Sequence, residues 1–279
     1  MKKIILFLLF IPVTLQAQNI HSKHFFHGYP KKIPYQNEII IRDSYIISFN
    51  PITKFADWTA YLLTKESVKG GKYNRELKDE YFLYEELRLE LDDYEKSYGC
   101  HRYDKGHMAP IRSFANGNWK DTNYLSNIVP QKSSLNRGIW SILERKERKF
   151  AEKVSNLYVL CGSLHLEDVP NLPLADEKHY IPSHYYKIIG FENDQVGIRV
   201  LGFIFPQNED IGIEKKNSTI VVKTKVSKDL KEYLCTVDEI EYLACFNVLW
   251  KLYNDYEKFI ESQIDFDAFN YFINEGKIK

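Results

Sequence analysis

Between Tyr103 and Arg148 the chain collects residue types that could cut a phosphodiester bond. Asp104-Lys105-Gly106-His107 is followed by Ser126-Asn127-Ile128-Val129-Pro130-Gln131, then by Asn136-Arg137-Gly138-Ile139-Trp140, Glu144 and Arg148. Hydrolysis needs a water made nucleophilic near neutral pH, and histidine, with an ordinary pKa of about 6.5, can take that proton. It also needs positive charge on the phosphate oxygens and on the leaving 3′-oxygen, which one hard cation and basic side chains can supply. Magnesium suits a sparse protein ligand set because it keeps several waters and takes only one or two protein oxygens. One amide and one carboxylate are therefore chemically adequate.

These groups must be held by regular elements. Trp140 to Val154 reads as a helix, which puts Glu144 and Arg148 on one face at i,i+4 spacing. Eight positions of about 100° around a helix leave Asn136 and Glu144 roughly 80° apart, close enough to share an ion, so one helix can present Asn136, Glu144 and Arg148. Ser44–Phe49, Trp58–Leu63, Leu157–Cys161, Tyr185–Ile189 and Gly197–Phe205 read as strands. Thr236 caps a further helix, with Glu239 completing a capping box. No repeat is apparent, and 44% apolar content with 15% aromatics describes one globular core.

Taken together, the motifs closely resemble those of the DNA/RNA non-specific endonuclease family, the ββα-metal nucleases that include secreted bacterial nucleases and mitochondrial endonuclease G. Asp104, Gly106, His107 and Pro110 match the family's Asp-Arg-Gly-His signature and its proline. Ser126 to Gln131, Asn136, Gly138, Trp140 and Glu144 match its downstream motifs in order and spacing. The resemblance runs from roughly Tyr45 to Leu249. It implies an α/β (α+β) fold: a single domain with a central, mostly antiparallel sheet flanked by helices and a ββα-metal active-site motif.

The resemblance also implies roles. His107 would be the general base, Asn136 the direct Mg2+ ligand, and Glu144 the carboxylate that orders a metal-bound water, with Mn2+ as a substitute ion. Arg148, Lys105 and Asp104 would form the substrate-binding group, and Arg75, after Gly70-Gly71-Lys72-Tyr73-Asn74, would stabilise the charged phosphate. Lys105 stands where the family usually has arginine, which exchanges a planar bidentate clamp for a point charge. The implied partners are DNA and RNA, bound through phosphates that carry no base information. A homodimer and an inhibitor protein are further expectations.

Each residue has a plainer reading. An isolated Asp-x-Gly-His means a nuclease on the order of one time in ten. Asn136 alone could cap a helix, and Glu144 with Arg148 could be an ordinary surface pair. Trp140 and Leu143 read as core. His21, His24, His27 and His101 read as structural or solvated, and His165, His179 and His184 lack metal-ligand spacing. It is the joint pattern that favours chemistry.

Lys2-Lys3, the apolar run Ile4–Leu15 and Gln16-Ala17-Gln18 read as a signal peptide over residues 1–17, cut after Ala17. The run is too short for a membrane anchor, so a periplasmic or secreted location is expected. The endonuclease domain is placed at 18–256 and a helical C-terminal extension at 257–279, with no function read for that tail. Export permits disulfides. Cys100, Cys161, Cys235 and Cys245 allow three complete pairings, with Cys235 and Cys245 one candidate pair.

Formal charge is zero for the full chain, mild evidence against a large electrostatic footprint. A local basic cluster compensates: Arg137, Arg145, Lys146, Arg148, Lys149 and Lys153. The acid-rich stretch Glu76–Glu95 reads as an exposed excursion. A non-catalytic nucleic-acid-binding protein, disabled at Lys105 or Arg75, and a nuclease toxin with a neutralising partner are the rival readings.

Overall fold

The computed structural model describes residues 20–207, 211–216, 219–224 and 227–277. The expected signal peptide and its cleavage site lie outside these residues. Strands β1 (Glu38–Ile41), β2 (Ile46–Asn50) and β3 (Phe55–Leu63) open the chain. A long excursion then carries the short helix α1 (Ser97–His101), β4 (Tyr103–His107), β5 (Ile128–Lys132), α2 (Ser133–Leu135) and α3 (Ser141–Ala151). The chain returns through β6 (Leu157–Leu164), β7 (His184–Asn193) and β8 (Gly197–Pro206). A hairpin of β9 (Ile211–Lys216) and β10 (Thr219–Thr224) precedes β11 (Leu234–Cys235), α4 (Val237–Ala244), α5 (Asn254–Glu261) and α6 (Phe266–Ile273).

Seven strands form one antiparallel sheet in the order β1-β2-β3-β6-β7-β8-β11. Because side chains alternate along a strand, the two faces carry separate cores. Tyr61, Val159, Tyr185, Ile189 and Phe203 face a layer containing Trp140, Leu143 and Phe150. Trp58, Ala60, Tyr186 and Ile188 face Val237, Ile240, Phe246 and Ile260 from the α4–α5 side. The sheet is therefore covered on both faces, and the mixed antiparallel α/β architecture agrees with the expected fold class.

The five expected strands all form, most with longer bounds than the sequence suggests. Thr236 caps α4 by accepting a hydrogen bond from Glu239 N at 3.1 Å. Glu76–Glu95 is not a free excursion, because Glu80 is fully buried and receives Arg42 Nη2 on both carboxylate oxygens at 2.8 and 2.6 Å. Leu83, Arg88, Leu89, Asp93 and Tyr94 are buried with it, whereas Tyr81, Phe82 and Tyr84 are exposed.

The boundary drawn at 256/257 falls inside α5, and the tail joins the core rather than extending from it. Phe150 of α3 packs edge-on against Tyr271 and Phe272 of α6, with centroids 5.7 and 5.2 Å apart. Lys146 Nζ donates to Ile273 O at 3.0 Å, and Lys149 pairs with Glu275 at 3.2 Å. The tail thus buttresses the helix that carries Glu144 and Arg148. The candidate disulfide between Cys235 and Cys245 is not formed: all four cysteines are free thiols, two buried and two exposed.

Candidate active site

β4 and β5 form a separate antiparallel ribbon in which Asp104 faces Gln131, Gly106 faces Val129 and His107 faces Ile128. Gly106 lets the Gln131 side chain pack close, since a Cβ there would lie 2.5 Å from Gln131 Oε1 and push that side chain aside. Beyond the ribbon, Asn127 clamps the outgoing chain. Its Oδ1 accepts from Ala109 N at 2.8 Å and its Nδ2 donates to Ala109 O and Thr122 O at 3.0 and 2.9 Å. Ser126 Oγ donates to the buried Glu80 at 2.7 Å, which ties the same corner to the segment before it. Ser126 and Asn127 therefore build the scaffold that fixes His107.

His107 closes β4 with 8% of its surface exposed, and its Nε2 has no hydrogen-bond partner. Burial is the main reason its pKa falls to about 4; the Arg75 guanidinium adds to the fall and the Asn123 amide opposes it. The ring is therefore neutral near pH 7. Arg75 itself is exposed and forms no ion pair among the described residues, so its charge is directed at the histidine's surroundings without compensation.

From β5 the chain enters a wide, π-type turn at Asn136–Trp140, in which Gly138 departs from helical geometry at φ −96° and ψ −119°. Regular α3 begins only at Ser141. The helical-wheel separation expected between Asn136 and Glu144 does not hold, because the kink at Gly138 interrupts the 100° step. What orients Asn136 is Asp104: Asn136 Nδ2 donates to Asp104 Oδ2 at 2.9 Å, and no donor reaches Asn136 Oδ1 among the described residues. Arg137 completes the group, with Nε and Nη2 donating to Asp104 Oδ2 and Oδ1 at 2.8 and 2.5 Å. Both carboxylate oxygens of Asp104 are thus engaged within the protein.

Glu144 lies on the inner side of α3 with Arg148 Nη1 4.0 Å from its Oε2. Its pKa is raised, chiefly by burial and further by Glu147, while Lys187 and Arg148 hold it down. Behind it lies a group that the sequence patterns do not announce. Lys187 Nζ, fully buried in β7, pairs with the fully buried Glu147 at 2.7 Å and lies 4.4 Å from the centroid of a Trp140 ring. Tyr61 OH donates to Glu147 Oε2 at 3.3 Å. The available signal was a lysine on the core-facing parity of an otherwise apolar strand, Tyr185-Tyr186-Lys187-Ile188-Ile189.

Lys105 is half-buried, with Nζ 5.6 Å from the centroid of the Tyr94 ring, and burial lowers its pKa against the pull of Glu95. The expected cationic helix is largely consumed internally: Arg137 is held by Asp104, while Lys146 and Lys149 are held by the tail. Arg148 Nη1 is buried without a hydrogen-bond partner.

The donor set fits a hard divalent cation. Asn136 offers an amide oxygen whose orientation is fixed from behind, and Glu144 offers a carboxylate flanked by an arginine. Neither belongs to the two groups of three acids that, among the described residues, lie close enough to share an ion, Asp93/Asp176/Glu177 and Asp238/Glu241/Glu261.

A two-stranded ribbon ending in a buried neutral histidine, followed by a helical segment that offers an amide and a carboxylate, defines a ββα unit. Residues 24–254 match the DNA/RNA non-specific endonuclease family, and the chain belongs to that family. A nuclease of Serratia marcescens is 36% identical over 208 residues, covering 74% of this chain and 72% of its own. Mitochondrial endonuclease G of Homo sapiens is 29% identical over 196 residues, 62% of each chain. The solved structure of an EndoG/EndoGI complex shares the fold with a TM-score of 0.63 at 21% identity, covering 81% of this chain and 90% of that one.

Proposed function

We propose that this chain is an exported, metal-dependent endonuclease that hydrolyses phosphodiester bonds of DNA and RNA with little sequence specificity. The observation that carries the reading is His107, a neutral, buried imidazole whose Nε2 has no partner and whose surroundings carry the uncompensated charge of Arg75. Such a nitrogen can accept a proton at once, without first losing one. As the water oxygen bonds to phosphorus, its proton passes to His107 Nε2 and the bond from phosphorus to the 3′-oxygen breaks.

Asn136 and Glu144 would hold magnesium, with manganese as a substitute; the ion supplies positive charge to the phosphate and the leaving oxygen. Asp104 acts as a positioning residue, because its hydrogen bond presents Asn136 Oδ1 to the ion. Arg75, Arg148 and Lys105 bind and stabilise the phosphate through charge alone, which carries no base identity. An incoming phosphate opposes the field of Arg75 at His107 and raises the imidazole's proton affinity when the substrate is in place.

Residues 1–17 act as a signal peptide in this reading, placing the protein in a periplasm or outside the cell. No helix among the described residues is long and apolar enough to cross a membrane. The solved EndoG/EndoGI complex concerns inhibition of EndoG, which supports a neutralising protein partner for this chain as well. Cleavage of both DNA and RNA by the purified chain, with and without magnesium, tests the proposal. Binding of nucleic acid without metal-dependent cleavage would contradict it.

A further inference from the structure

On the opposite face of the sheet from α3, three carboxylates converge between α4 and α5. Asp238 and Glu241 lie one turn apart on α4, and Glu261 ends α5. One oxygen from each lies within 4.8 Å of the others. Glu261 is 3% exposed, and its Oε1 is buried with no hydrogen-bond partner. Glu241 Oε1 accepts from Val248 N at 2.5 Å, and the Asn247 side chain also hydrogen-bonds this carboxylate, but neither partner brings a positive charge. Among the described residues no lysine, arginine or histidine forms an ion pair with any of the three.

An unpaired buried carboxylate is costly, and two further carboxylates beside it increase the cost. Burial and mutual repulsion raise Glu241 to about 7 and Glu261 to about 9, with Glu257 adding to both. Either protons or a cation must offset this charge. Calcium takes carboxylate oxygens at about 2.3–2.6 Å, so any two on one ion lie at most about 5.2 Å apart, and the three oxygens here, all within 4.8 Å of one another, fall inside that limit. Magnesium holds its waters and takes fewer carboxylates, so a group of three, one of them shut off from water, suits it less.

We propose that Asp238, Glu241 and Glu261 form a structural calcium site that clamps α5, and with it the C-terminal tail, onto α4. The ion replaces the missing partner of Glu261 Oε1 and removes the repulsion between the two helices. Because α6 follows α5 and supports α3, the site anchors the segment that buttresses the catalytic helix from the far side of the sheet. This assignment does not depend on the catalytic reading.

The test uses the full chain with Asn136→Ala, so that binding at the proposed catalytic ligands is not counted. Calcium binding is measured by equilibrium dialysis, and Tm is measured in calcium, in magnesium and in chelator. One calcium per chain and a calcium-dependent rise in Tm are expected, with a smaller rise in magnesium. Adding Glu261→Gln should raise Tm in chelator, because folding no longer has to protonate a carboxyl that is ionised in the unfolded chain, and abolish the calcium increment. Asp238→Asn, on the exposed side, should leave the fold intact and weaken calcium binding about tenfold or more. No bound calcium, or an unchanged calcium increment in E261Q and D238N, would overturn the site. A gain in E261Q with no calcium effect in the parent would overturn it too and assign protons as the balancing charge.

Discussion

Asp104 Oδ2 accepts a hydrogen bond from Asn136 Nδ2 at 2.9 Å, and this contact decides which atom of the amide remains free. Without it the side chain can rotate, presenting nitrogen or oxygen to an ion. Asp104→Ala is therefore expected to weaken metal use by about 10–100-fold. Rate measured against magnesium concentration checks this. The half-saturating concentration should rise, with most of the rate recovered at high magnesium. An equal loss at all concentrations would assign Asp104 to the substrate instead.

The histidine gives a pH dependence. His107 has a folded-state pKa of about 4 against an ordinary 6.5, so the base is free down to about pH 4 in the unliganded protein. The acid limb of kcat/KM, which reports the free enzyme, should fall near pH 4 rather than 6.5. Arg75→Ala removes one cause of the depression and should move that limb upward. An acid limb near 6.5 in the wild type, or one unmoved in R75A, would contradict the placement of Arg75.

The same group links stability to pH. His107 and His24 both fall from 6.5 to about 4 in the folded protein, each mainly through burial. Protonation therefore favours the unfolded chain: their contribution is complete above pH 6.5 and is lost as pH falls toward 4. Unfolding followed in urea from about pH 7 to about pH 4 should show this decline. His24→Gln should reduce its slope without touching the site.

Much of the site was legible because its residues cluster in sequence. His107, Asn136, Glu144 and Arg148 were proposed as a site from their types and spacing together with the resemblance. The orientation of Asn136 was not legible, since helical arithmetic assumes a regular helix and Gly138 interrupts it. The Lys187–Glu147 pair was hidden for a different reason: its partners lie 40 residues apart and meet only through the packing of α3 on β7. Glu80 looked like one acid in an exposed run because the identity of its partner, Arg42, depends on tertiary structure. Among the fold elements, the main strands were readable from apolar patterning. The supporting role of α6 was not, because its contacts with α3 span the whole domain.

The buried pair yields a stability test. Lys187→Met leaves the Glu147 charge uncompensated in the core and should cost about 3–5 kcal/mol. Adding Glu147→Leu should restore much of that loss. The double variant should still differ from wild type in its magnesium requirement, because the lost Lys187 charge, which holds the Glu144 pKa down, outweighs the lost Glu147 charge, which raises it. Recovery of stability with an unchanged magnesium requirement would confine the pair to a packing role.

The thiols provide an independent check on the fold. Cys100 and Cys245 are exposed and unpaired, whereas Cys161 and Cys235 are buried. A thiol reagent should label two cysteines in the native protein and all four in denaturant, and reductant should leave Tm unchanged. Loss of Tm on reduction would mean that a disulfide is present.

In the proposed reaction His107 takes a proton from water during metal-dependent cleavage. The most direct measurement is cleavage of supercoiled plasmid and of a structured RNA by the purified chain, in magnesium and in chelator, beside His107→Ala. Magnesium-dependent cutting of both substrates that disappears in the folded variant is the predicted result. Cutting that persists in H107A, or intact substrates with a folded wild-type protein, would contradict it.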